Sequence, residues 1–263
     1  MERISCRVAL LILLGTSTLG FASHDFVPDV PTTIAGSTRQ PWTVTHEDGV
    51  NFTTLFSLPA GIVIDGLQRL PSDEWLLSLE SSADLGGTEF DPRDVILFDG
   101  MAGYSLVFDG AAMGVGPDSN LDAILQDTAG NLVVSFDVPT RLDGIDYEPA
   151  DLIRFDGVTF SLYFDASATT PPIPTTTNVT SADRSGSLTI LTFDVPTTLG
   201  TATYSPGQLV SWNGVSFALF SQPLAWPGSS QIAALAESVP NPPPPPTGLP
   251  SSTGARKYQT LPE

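Results

Sequence analysis

The side chains that could do chemistry in this chain are mostly carboxylates. Asp and Glu together number 29, against 10 Lys and Arg, 2 His and 1 Cys. A Ser-His-Asp nucleophile needs an imidazole to take the serine proton, so it would have to use His24 or His46. That short supply argues against a triad, and against a zinc site built from His and Cys. No Gly-x-Ser-x-Gly elbow, phosphate-binding loop or dinucleotide glycine pattern occurs. A copper brace would need His24 as the first residue, with its amine, its ring and His46 as ligands. Phe21, three residues upstream, argues against cleavage there. One metal pattern stands out. Asp118, Asn120 and Asp122 alternate oxygen ligands like the opening of a calcium loop. Ala123 sits where that loop requires glycine and no glutamate closes it, which excludes an EF-hand. No cofactor is expected; a smaller calcium site on Asp118, Asn120 and Asp122 is the one metal candidate. The alternative is a turn at Asp118 and Asn120 with Asp122 capping a strand. Paired carboxylates could hydrolyse glycosides, but no pair is singled out by its context.

For binding, loops on a rigid scaffold are the first place to look. The segment Gln222-Pro223-Leu224-Ala225-Trp226-Pro227 is the least repetitive such loop, and Trp226 is the candidate binding residue. Phe90, Tyr147 and Tyr204 could offer rings to sugars, but their regular spacing is better explained by packing.

The elements that must hold these residues repeat. Leu79, Phe136 and Phe193 are 57 residues apart, as are Leu85, Leu142 and Leu199. Phe90, Tyr147 and Tyr204 keep the same step, each two residues before a proline. So do Phe98-Asp99-Gly100, Phe155-Asp156-Gly157 and Trp212-Asn213-Gly214. Each unit holds four short strand-like stretches: in the second unit 121–125, 131–137, 151–157 and 160–165. Alternating apolar residues and Asp-Gly turns mark them as strands and hairpins. Residues 46–56 match 155–164, so the start of the chain reads as a third-and-fourth-strand hairpin. Residues 231–238 fall where a new first strand should begin. The expected fold is all-β: a small β-propeller-like ring of about four four-stranded repeats, one blade closed by strands from both ends of the chain. An open β-repeat or sandwich is the alternative, and it would leave sheet edges exposed.

The ends differ from the middle. Arg3 and Arg7 precede an apolar run from Val8 to Leu14 and then small residues, the pattern of a signal peptide over 1–22. Residues 23–40 read as an N-terminal linker, 41–239 as the repeat domain and 240–263 as a Pro-rich disordered tail. The expected location is secreted, periplasmic or cell-surface. The net charge of −19, with Lys257 the only lysine, argues against a nucleic-acid partner and against anionic membranes. A glycan or cell-surface component is the partner class left, with no stable membrane insertion after cleavage.

Leu121-Asp122-Ala123, Gly130 to Phe136, Asp151 to Gly157 and Ser161 to Asp165 resemble the tandem "FDG"-type β-repeats of large exported bacterial proteins. The resemblance covers about 43–238 and implies export and a propeller-like fold. It implies no catalytic residue. The third unit departs from the pattern, with Asn213 and Gln208 where the others carry aspartate. The function expected is therefore an exported, non-enzymatic β-repeat module, structural or ligand-binding. The alternative is a secreted carbohydrate-active hydrolase or lyase with carboxylates in a central funnel. An enzyme would need two carboxylates converging in one pocket, at least one of them desolvated.

Overall fold

The computed structural model describes residues 23–101, 103–223, 226–227 and 230–237. Among these there is no helix, and the sheets form a four-bladed propeller. From the axis outward, blade one consists of Ile232–Glu237, His24–Pro28, Thr43–Glu47 and Phe52–Ser57. Blade two consists of Ile64–Arg69, Trp75–Leu79, Val95–Phe98 and Tyr104–Phe108. Blade three is Leu121–Gln126, Leu132–Phe136, Leu152–Phe155 and Phe160–Phe164. Blade four is Val179–Ser185, Leu188–Phe193, Leu209–Trp212 and Phe217–Ser221. All pairings are antiparallel, and the four inner strands contact one another around the axis. A two-stranded hairpin joins the second and third strands of every blade, as at Thr140–Leu142 with Ile145–Tyr147.

The core is divided into four wedges, each shared by two neighbouring blades. This is why the 57-residue landmarks are apolar. Phe136, Phe193 and Leu79 end the second strands, and Phe90, Tyr147 and Tyr204 seat the hairpins; all are buried. The recurring Asp-Gly pairs make turns. Asp156 Oδ1 accepts the backbone N–H of Val158 and of Thr159, Asp48 does the same for Val50 and Asn51, and Asn213 for Val215 and Ser216.

The ring closes differently from the expected linker and hairpin. Residues 23–40 are not a linker. His24–Pro28 is the second strand of blade one, and Thr32–Ile34 with Ser37–Arg39 is its hairpin. The N-terminal segment thus supplies the three outer strands of that blade, and the C-terminal segment supplies the innermost. The physical reason is burial: Phe26 and Val27 are fully enclosed between blades, and Phe26 lies edge-on to Trp226 at 5.1 Å. The expected signal peptide and Pro-rich tail lie outside the described residues.

Neighbouring blades also clasp through hydroxyls. Ser78 donates to Leu121 O at 2.8 Å, Ser135 to Val179 O at 3.0 Å and Thr180 to Ile232 O at 3.0 Å. This approach leaves no room for a side chain at Gly66, where an added Cβ would sit 2.6 Å from Asp122 O and 2.8 Å from Ile124 Cγ1. Gly66→Ala is expected to cost about 1–3 kcal/mol by overpacking. Urea unfolding checks this.

Candidate functional site: a carboxylate-lined central channel

Every inner strand carries a β-bulge near its start. The register skips Asp65 between Ile64 and Gly66, and Thr180 between Val179 and Ser181. One extra residue falls between Leu121 and Ile124, and Ala233 is skipped against Val27 and Pro28. A bulge bends the strand and re-aims a side chain. Here the bulged positions Asp65, Asp122, Thr180 and Ala233 line a channel at one end of the axis. Val63, Asn120, Asn178 and Gln231, two residues earlier in each blade, complete that wall, with Asp29, Glu80 and Asp194 at the ends of second strands. The cavity measures about 220 Å³. No basic side chain is among its lining residues.

The four blades are not equivalent at this end. In three of them the acid ending the second strand fixes the start of the inner strand. Asp137 Oδ1 accepts Asn120 N–H at 2.7 Å, Asp194 accepts Asn178 N–H at 2.8 Å and Asp29 accepts Gln231 N–H at 3.1 Å. In the same blades Thr140, Thr197 and Thr32 pair with Ser119, Thr177 and Ser230. Blade two departs throughout. Ile62, Val63 and Ala83 replace the polar partners, and the longer Glu80 is exposed and makes no such bond. Its carboxylate is free to meet a ligand.

Beside Glu80 sits a hydrogen-bonded pair of acids. Asn120 Nδ2 donates to Asp65, Asn178 Nδ2 donates to Asp122, and the two carboxyls share a hydrogen bond. Burial pushes Asp65 up to about 7; the charges of Glu80 and Asp137 add to this, and the bonds from Asp122 and Asn120 offset some of it. Burial, followed by the charge of Asp65, holds Asp122 well above the ordinary carboxylate range. Two carboxyls this close cannot both ionise cheaply, so the pair retains a proton where isolated aspartates have lost theirs. Asn120 Oδ1 and Asn178 Oδ1 are buried without a partner.

The candidate calcium triplet is not assembled. Asn120 and Asp122 face the channel, but Asp118 lies in an exposed turn and is not among the lining residues. Alternation along the segment ends at the Asp122 bulge, so the three side chains do not converge. Among the described residues no group of three or more His, Cys, Asp or Glu side chains is placed to hold a metal ion. Asp65, the partner of Asp122, lies 57 residues upstream and has no local motif of its own.

Trp226 is not a presented binding residue. It is only 5% exposed, packs in the wedge between blades four and one, and donates Nε1–H to Ser230 O at 2.7 Å. Trp226→Ala is expected to cost about 3–5 kcal/mol, read by urea unfolding. The copper brace is not formed either. His24 is buried with Nε2 2.9 Å from Ser221 Oγ, and His46 Nδ1 is engaged by Asp25.

No family model matches the chain, and no curated protein sequence matches it. Several solved structures resemble it. A structure described as YCF48 bound to D1 peptide is 11% identical, with 69% of this chain and 48% of that chain covered and a TM-score of 0.35. A streptogramin B lyase structure is 10% identical, covering 76% of this chain and 73% of that one, with a TM-score of 0.33. The extracellular domain of a putative one-component system from B. thetaiotaomicron is 9% identical, covering 76% and 22%, with a TM-score of 0.32. The chain thus spans about half the length of the YCF48 structure. The propeller assignment rests on the sheets of this chain itself.

Proposed function

We propose that this protein is an exported module whose central channel binds, without turning over, a small group rich in hydrogen-bond donors: an ammonium, or the hydroxyls of a sugar. The observation that carries this reading is the lining. It offers carboxylates, amide oxygens and a threonine hydroxyl, with no basic side chain. Such a wall repels phosphates and carboxylates and favours donors. The free Glu80 beside the apolar Val63 marks blade two as the side where the ligand sits. Export and kinship with the "FDG"-type repeat proteins belong to this proposal and rest on the N-terminal and repeat patterns of the sequence. Calorimetric titration with simple sugars, alkylamines and calcium chloride tests it, with inorganic phosphate as the comparison. Saturable binding of a donor ligand, weakened at least tenfold by Glu80→Gln, is expected. Binding of phosphate alone, or of nothing in the panel, contradicts it.

One observation favours a second reading, a hydrolase or lyase. Asp65 keeps a proton near neutrality beside the exposed carboxylate of Glu80, which is a usable acid and base pair. Turnover of a glycan panel that is abolished in both Asp65→Asn and Glu80→Gln would select this reading over plain binding.

A further inference from the structure

On the opposite face of the ring, where inner strands end and second strands begin, a different set of groups meets. Asp25 lies directly across from His46 in the sheet of blade one. Ser23, just before the strand, and Asp25 within it both reach the His46 ring. His24, between them, turns the other way to Ser221. Asp25 is fully buried, and its Oδ1 lies 2.6 Å from His46 Nδ1. Its Oδ2 is held by Arg69 at 3.3 Å, and Arg69 is itself held by Asp73 at 2.9 Å and by the Trp75 ring. With Nδ1–H donated to Asp25, His46 Nε2 is left as an acceptor. It lies 3.3 Å from Ser23 Oγ. His46 is partly exposed, its side chain at 24%.

We infer that Ser23, His46 and Asp25 form a nucleophilic relay able to cleave small esters. The sheet register brings a serine and an aspartate to one of the two imidazoles, the arrangement that the short supply of histidine argued against. Ser23 Oγ attacks the ester carbonyl carbon and its proton passes to His46 Nε2. The tetrahedral adduct then collapses, the C–O bond to the alcohol breaks, and the departing alkoxide takes that proton. Water repeats the sequence on the acyl-serine and releases the acid. Asp25 is the positioning residue, and Arg69 fixes its second oxygen. The charge of His46 also couples to His24 and to Asp48.

The test uses the full chain with an alkyl fluorophosphonate, followed by peptide mass mapping, and p-nitrophenyl acetate as the substrate. Labelling is expected at Ser23. His46→Gln should slow both labelling and ester hydrolysis roughly 100-fold, and Ser23→Ala should abolish both. His46 is the residue varied because Asp25 also holds Arg69, and a melting curve confirms that the variant is folded. Labelling that spares Ser23, or a His46→Gln variant labelled at the parent rate, overturns the inference.

Discussion

At pH 8, Asp65→Asn is expected to melt about 5 °C above the parent protein, and the difference should shrink steadily as pH is lowered toward 4. The sign follows from linkage. Asp65 holds its proton up to about 7 in the fold, against 3.8 in the open chain. Between those values the unfolded chain ionises first, so the parent loses stability as pH rises through the window. Asparagine resembles the protonated acid and carries no such cost. It can still accept from Asn120 and donate to Asp122. A cost of about 2 kcal/mol at pH 8 corresponds to a few degrees in a domain of this size. His24 acts in the opposite sense. Burial, aided by the charge of His46, lowers it from 6.5 to about 4, so its contribution is full above 6.5 and is lost as pH falls toward 4. Subtracting the parent curve from the variant curve removes the His24 contribution. A variant that melts below the parent at pH 8 would show that the pair is not proton-sharing.

Removing the last inner strand should have the largest effect on the fold. A chain ending at Gln231 is expected to show no cooperative unfolding transition in urea. Ile232–Glu237 pairs with His24–Pro28 along the whole length of that strand. Its Ala234 and Ala236 belong to one wedge, while Ile232 and Leu235 belong to the next. Losing it opens two of the four cores at once and bares the edge of a second strand. A milder probe of the same closure is Phe26→Ala, expected to cost about 3–5 kcal/mol, because Phe26 is fully buried against Trp226 and Phe52. A truncated chain that keeps a sigmoidal transition would contradict closure by these strands.

The ring is legible because a propeller writes its blade into the sequence several times. Phe136 and Phe193 recur at one step, and that step is the blade. The second strand of blade one is hidden from that periodicity although its signal is present. Asp29-Val30-Pro31-Thr32 is a third copy of the phrase at Asp137 and Asp194. The copy falls out of the 57-residue step because the chain ends interrupt blade one. Once it is aligned, Asp29, Asp137 and Asp194 share one task, holding the start of an inner strand, and Glu80 stands out as the exception. The channel is harder to read. Local spacing groups Asp122 with Asp118 and Asn120, whereas its carboxyl partner Asp65 comes from the adjacent blade. The 57-residue step makes Asp65 and Asp122 equivalent positions, but it does not show that a bulge turns both into the channel. Trp226 reads as a free loop aromatic because sequence does not show that Phe26 and Ser230 enclose it. The Ser23 relay depends on strand register, which puts Asp25 opposite His46 and cannot be read from composition.

Two carboxyls, Asp65 and Asp122, share a proton in the axial channel near neutral pH. The most direct measurement is a carboxyl carbon-13 NMR titration of the aspartates, with Asp65→Asn and Asp122→Asn to assign the signals. Asp65 is predicted to titrate near pH 7, and because the bond from Asp122 offsets part of its upward shift, losing that bond is predicted to raise the midpoint. If Asp65 and Asp122 both titrate near 4, like exposed aspartates, the channel holds no shared proton and the claim is contradicted.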